Sequence, residues 1–277
     1  MPMYKNRQPM DPATELRRYT SLNALEHMPR DNQLRLTRVD RFDDPFEGSV
    51  PKQQMDDQVA TFSSTYLTEM MGASHLPRKH KKYVSDPWTR MELRRRAATR
   101  SAHASCWTAG PESEAMWRLY CKDGKRGQGV ALRIALGKLE ASLGSHDLFV
   151  TPIAYRLYHV GPAFNDEVSP FMHKRLGFEC EREVRFLRYD QAHGSALAWA
   201  LVGGDGFAPP PKRPPELSKH VYIDWCPLAI ADAIVISPYA TEDYERRVRD
   251  AIFAIDATAA GLVELSVLSE RCYPTQF

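Results

Sequence analysis

The chain has 277 residues, 43% hydrophobic and 26% charged, with a formal net charge of +2 at neutral pH. That mix suits a globular protein with a real core and excludes disorder as the default. A near-neutral balance also argues against a protein whose main task is coating nucleic acid, leaving room only for a local basic patch.

Five cysteines, Cys106, Cys121, Cys180, Cys226 and Cys272, are widely spread and form no CxxC pair. The pattern fits reduced thiols in a cytoplasmic protein rather than a disulfide framework or a zinc module. The opening MPMYKNRQPMDP has no apolar run, so no secretory signal is expected. No stretch approaches the ~20 apolar residues of a membrane span.

Residues 1–14 read as a loose arm. Leu16–Ser21 is a short strand, and Ser21 then caps a helical turn over Leu22–Met28. Gln33–Val39 alternates Leu34 and Leu36 with polar neighbours, a second strand, and runs into the turn Arg41–Gly48 around Asp44-Pro45. Residues 51–101 form a helical insertion. It carries the basic run Arg78–Lys82 and then Arg90, Arg94, Arg95, Arg96 and Arg100, usually the composition of a solvated helix face.

Ala104–Thr108 is a strand, and Pro111 starts a helix over Glu112–Leu119. Gly129–Ile134 is a strand after a glycine-rich hairpin turn; Leu136–Leu143 is a helix; Phe149–Leu157 is one long strand or a pair; Phe171–Gly177 is a helix. Gly203–Leu217, rich in Pro and Gly, is a loop. Val221–Asp224 and Ile230–Ile236 are strands. Thr241–Ala254 is an amphipathic helix with Tyr244, Val248, Ile252 and Ile255 along one side, and Leu262–Leu268 is the last strand. The order predicts a single α+β domain spanning residues 1–277, with a mainly antiparallel sheet.

The most informative segment is Phe178–Phe186. Read as a strand, it puts Glu179, Glu181, Glu183 and Arg185 on one face, with Phe178, Cys180, Val184 and Phe186 on the other. Carboxylates crowded on a strand of core quality repel one another and suggest a site. The plainer alternative is a solvated face with Arg185 neutralising one Glu. Other chemistry has little support. Gly124–Gly129 fits no phosphate loop, the nine histidines form no metal-type cluster, and GxSxG is missing. Arg18, Ser105 and Glu183 are of the types that hold a dinucleotide diphosphate and a ribose.

Three blocks together carry a resemblance. They are RRYTS followed by RFDDPFEG, then SCWT with ESEAMWRLY and GVALRI, and finally FMHKRLGFECEREVR trailed by ADAIVISP. From about Leu16 to Leu268 this resembles the prokaryotic domain-of-unknown-function family 2971. More weakly, an Arg on the first strand, a Ser on a middle strand and a late E-x-E resemble ADP-ribosyltransferases of the Arg–Ser–Glu type. That second resemblance implies a split sheet and NAD as substrate. Arg18, with Arg17 as its competitor, would hold the diphosphate or ribose, and Tyr19 beside it joins the binding set. Ser105 would buttress the nicotinamide pocket, with Trp107 or Tyr120 stacking on the ring. Glu183 would stabilise the cation formed as nicotinamide leaves, and Glu181 would orient or deprotonate the acceptor. No metal is implied. The acceptor would be a macromolecule, as for a bacterial toxin or phage-defence effector.

Two readings from other classes stand beside it. One is a nucleic-acid or protein-binding module that uses residues 78–100, with contact through Arg94, Arg95 and Arg96. The other is a phosphodiesterase holding Mg²⁺ on Asp43, Asp44, Glu47 and the acidic segment. Packing has competing claims on several residues. Trp107, Met116, Trp117 and Tyr120 are core candidates, with Trp117 and Tyr120 packing together, while Glu47, His173 and Lys174 read as surface.

Overall fold

The structure, a computed structural model, describes residues 5–6, 9–61, 86–144, 146–159, 164, 166–202 and 212–269. The basic run Arg78–Lys82, residues 203–211 of the Pro/Gly-rich loop, and Cys272 lie outside the described residues.

Apolar alternation builds one large sheet. Its strands are β1 (Lys5–Asn6), β2 (Glu15–Thr20), β3 (Gln33–Arg38), β4 (Ala102–Ala109), β5 (Val130–Ala135) and β6 (Phe149–Pro152). After β7 (Ala154–Arg156) and β8 (His173–Arg175), which pair only with each other, come β9 (Glu183–Tyr189), β10 (His220–Asp224), β11 (Ala233–Ile236) and β12 (Val263–Leu265). The spatial order is β1-β6-β9-β4-β2-β5-β11-β12, with β3 also on β4 and β10 on β3. All pairings in this sheet are antiparallel except β1 with β6 and β11 with β12. The protein is thus α+β with a mainly antiparallel sheet.

One edge of β4 serves two strands. Its first half pairs β3, through Arg38↔His103 and Thr37↔Ala104. Its last residues pair β2, through Arg17↔Thr108 and Leu16↔Ala109. Between them Ser105, Cys106 and Trp107 pair only with β9, on the other side. From there β2 continues along β5 and β3 along β10, so the sheet divides into two wings that diverge from β4.

The main core covers one face, where Leu16, Leu36, Trp107, Leu132, Val184, Phe186 and Ile234 meet Leu25, Tyr244, Val248 and Ile252. The last three recur every fourth residue of the helix Glu242–Ile255, and so share one stripe. The Ser21 cap agrees with the sequence, its Oγ accepting from the Ala24 amide at the head of the helix Leu22–Asp31; Thr241, read as the first helical residue, is a cap as well and accepts from the Tyr244 amide. On the opposite face, a smaller cluster packs Tyr19 edge-on against Trp117, 4.8 Å between centroids. The insertion is helical at residues 52–61 and over Pro87–Thr99.

Three expectations change, and one helix is new. Phe171–Gly177 is no helix: Ser169–Met172 and Leu176–Glu181 are 3-10 turns flanking β8. The acidic strand therefore begins only at Glu183, after Arg182 turns the chain in the left-handed region at φ 42°. The glycine-rich stretch before β5 joins a helix to a strand rather than two strands. Finally, Gln191–Val202 is a helix that strand and turn signals did not announce; it packs on Pro87–Thr99. No helix among the described residues is long and apolar enough to cross a membrane.

Candidate functional site

The divergence of β2 and β3 opens a cleft of about 490 Å³ over the middle of β4. Arg18, Tyr19, Ser105, Trp107, Tyr120, Glu181 and Glu183 all line it. Strand alternation sets Glu183, Arg185, Cys106 and Thr108 on one face, and Ser105, Trp107, Val184 and Phe186 on the core face. The cleft reaches both because it enters through the unpaired edge of β4.

Arg18 crosses that gap. Its guanidinium donates to Ser105 Oγ and to the Arg35 carbonyl, and lies 5.8 Å from the Trp107 ring. Arg17, the competing candidate, also lines the cleft, but on the opposite face of β2 from Arg18, the face of Thr108 and Glu183, and it is committed to Glu15 and to the Gly110 carbonyl. Among the described residues no carboxylate pairs with Arg18. Burial, then the nearby Arg35 charge, lower its pKa from 12.5 to about 10. Exposed Arg35 lies beside Arg18, and exposed Arg41 lines the cleft too, together with Asp43 and with Asp44, which Arg175 engages.

The cleft also borders a buried ionic network. Arg185, at 0% exposure, donates through Nη1 and Nη2 to the two oxygens of Glu47, 3.0 Å each, and through Nε to Glu183 at 2.7 Å. Lys174 Nζ lies 2.7 Å from an oxygen of Glu181 and 2.7 Å from one of Glu183. Tyr120 Oη donates to Glu181 at 2.6 Å, and the Glu183 amide donates to Tyr155 Oη at 2.7 Å. Three carboxylates against two cations leave one excess negative charge. Burial alone would raise the Glu183 pKa, but Arg185 and Lys174 outweigh it and hold the carboxyl at about 2. Burial would lower Lys174; Glu183 and Glu181 reverse this and push it up. Cys106 sets its thiol against Glu183 and is raised by burial and by that carboxylate, so it is no activated nucleophile.

The acids meet differently from the strand reading. Exposed Glu179 stands apart on the 3-10 turn, and Glu181 closes that turn. Glu181 and Glu183 converge because both reach Lys174, not because they share a pleat. Lys174 and Glu47 are buried, not surface residues, and sequence reasoning missed Lys174 as the partner of the acids and Glu47 as the partner of Arg185. The signal for Lys174 was a lysine beside an apolar segment; assigning it to a helix hid its direction.

Among the ring candidates, Trp107 is 1% exposed and wedged edge-on against Phe186 and Trp225, so it belongs to the core, and the Arg18 guanidinium already lies over its ring. Its indole N–H donates to Ser105 Oγ at 3.1 Å. Tyr120 is 47% exposed and free of Trp117, which packs on Tyr19 instead. Tyr19 is buried in that contact.

Other placements bear on the alternatives. Arg95 and Arg96 both bind Glu92, while exposed Arg94 has no ion pair among the described residues. Both oxygens of Glu47 are held by Arg185, and Asp44 by Arg175, so these acids are engaged rather than open to a cation. No group that could hold a metal occurs among the described residues. Comparison with protein-family models, curated proteins and solved structures finds no match for this chain.

Proposed function

We propose that the chain is an NAD-dependent ADP-ribosyltransferase-like enzyme that modifies a macromolecule. The observation that carries this is a cleft at the split of the sheet, lined by Arg18, Arg35 and Arg41, which have no carboxylate partner among the described residues, and by a buried network with an excess carboxylate. A diphosphate suits Arg18, Arg35 and Arg41, whose donors lack carboxylate partners. Ser105 holds the Arg18 fork in place. A pyridinium suits the acidic end, with the half-exposed Tyr120 ring beside it.

The chemistry follows from the charge. When the bond between ribose C1′ and the nicotinamide nitrogen breaks, the electron pair leaves with the ring and positive charge develops on the sugar. Glu183, ionised and fixed by Arg185 and Lys174, stabilises that cation without reorganising. An acceptor nucleophile then bonds to C1′ and loses its proton to Glu181, which Tyr120 orients.

Glu183→Gln and Arg18→Ala separate the two roles. Calorimetry with NAD and a nicotinamide-release assay are the measurements. Glu183→Gln is expected to keep NAD binding and lose on the order of 10²-fold or more of turnover. Arg18→Ala is expected to lose binding. Failure of the unsubstituted protein to bind NAD, or full turnover by Glu183→Gln, overturns the reading.

A further inference from the structure

The helix Glu114–Tyr120 is a wall with two sides. Met116 and Tyr120, four apart, face the cleft. On its other side a surface groove is lined by Arg118, Leu119, Lys122, Gly124, Lys125 and Arg126. No carboxylate lines that groove among the described residues.

The turn after the helix contains one acid, Asp123, and it points inward. Its Oδ2 accepts from the Leu22 amide and from Tyr244 Oη, both at 2.6 Å. Lys122, Lys125 and Arg126 are left exposed without that charge to offset them. Arg118 donates to Tyr239 Oη at 2.8 Å, while its ion pair with Glu114 is long, at 3.7 Å, and solvated.

The turn is also braced. Gln128 Nε2 donates to the Asp123 carbonyl at 2.6 Å, and the Gly127 amide to the Cys121 carbonyl at 2.8 Å. Gly127, at φ 87°, lies so close to the Tyr239 ring that a Cβ there would sit 2.6 Å from a ring carbon. The cations are thus presented by a backbone already fixed, which lowers the ordering cost of binding.

We propose that the macromolecular acceptor is a nucleic-acid strand whose phosphates lie in this groove, placing an adjacent nucleotide across the helix at the mouth of the cleft. Naming this partner as the acceptor rests on the transferase reading above. Electrostatics favours the polyanion: four cations line the groove in a chain of near-neutral net charge. Distance allows it, since a helix with its side chains is only about 10–12 Å across. Leu119, half exposed in the groove, offers an apolar contact for a base. The partner is single-stranded, because a nucleotide inside a duplex cannot reach a cleft.

The test uses the full chain and a short labelled single-stranded oligonucleotide, with anisotropy followed across a salt series. The unsubstituted protein is expected to bind in a salt-dependent manner. Combined Lys122→Ala, Lys125→Ala and Arg126→Ala is expected to flatten the log–log salt slope by about 2, each single-strand phosphate contact contributing roughly 0.7. The triple variant should release nicotinamide from NAD without acceptor at the unsubstituted rate, because none of the three lines the cleft. An unchanged slope, no binding at low salt, or preference for an acidic peptide over the oligonucleotide overturns the proposal. If the oligonucleotide binds through the groove while the unsubstituted protein cleaves no NAD, the transferase reading falls and the nucleic-acid surface stands.

Discussion

Arg185 and Glu47, 138 positions apart in the chain, are joined by two parallel hydrogen bonds of 3.0 Å inside the protein. The pair ties the turn after β3 to β9 and forms the floor of the acidic end. Both partners are almost fully excluded from water, so the pair matters most when half of it is removed. Glu47→Gln is expected to cost about 1–3 kcal/mol, because the amide can accept only one of the two Arg185 hydrogen bonds and turns an N–H₂ donor toward the other, while Glu183 still pairs the guanidinium. Asp44→Asn, which loses a contact to the partly exposed Arg175, is expected to cost less than about 1 kcal/mol. Urea unfolding of the two variants checks the contrast; equal losses would mean the Glu47 pair is not special.

Lys174 should set the pH response of the site. Glu183 has a folded pKa of about 2 against an ordinary 4.5, so the unfolded chain binds the proton more readily in that window. Its stabilising contribution is complete above pH 4.5 and drains away as pH falls toward 2. Lys174→Met removes one of the two cations that oppose burial. The acid loss of stability, and the acid limb of nicotinamide release, should both begin at higher pH. Urea midpoints and initial rates over a pH series give the answer; a rate lowered equally at every pH would make Lys174 merely structural.

Arg18 should weaken the free protein and strengthen the liganded one. Its folded pKa, about 10, lies below the ordinary 12.5. The charged form is therefore disfavoured by folding at all pH values below about 10, and that penalty is relieved as pH climbs toward 12.5. Arg18→Met keeps the apolar stem and removes the charge. Its thermal midpoint at neutral pH is expected to equal or exceed that of the unsubstituted protein. NAD at a hundred times its Kd should stabilise the unsubstituted protein by about 2.7 kcal/mol and the variant hardly at all. A midpoint that falls in the variant while NAD still raises it would refute both halves.

Much of the fold was legible because local rules decide it. Leu34 and Leu36 alternate and made β3; Tyr244, Val248 and Ile252 recur every four residues and made the helix Glu242–Ile255; Ser21 caps the helix that follows it. Residue type marked Arg18, Ser105 and Glu183, the acidic run marked Glu181, and the transferase resemblance implied Tyr120; all five line one cleft. Tyr19 and Trp107 line it as well, but packing took their rings: an aromatic on a strand fits a core as readily as a ligand, and composition does not tell the two apart.

What tertiary structure alone decided is which groups meet. The edge of β4 binds two strands that then part, and no local pattern encodes a gap between residues 18 and 105. The chain turns at Arg182, so Glu179 leaves the acidic row that a strict period of two would give it. Lys174 and Glu47 became partners of Glu183 and Arg185 because burying a charge demands an opposite charge within reach, and that demand is met through space rather than along the sequence.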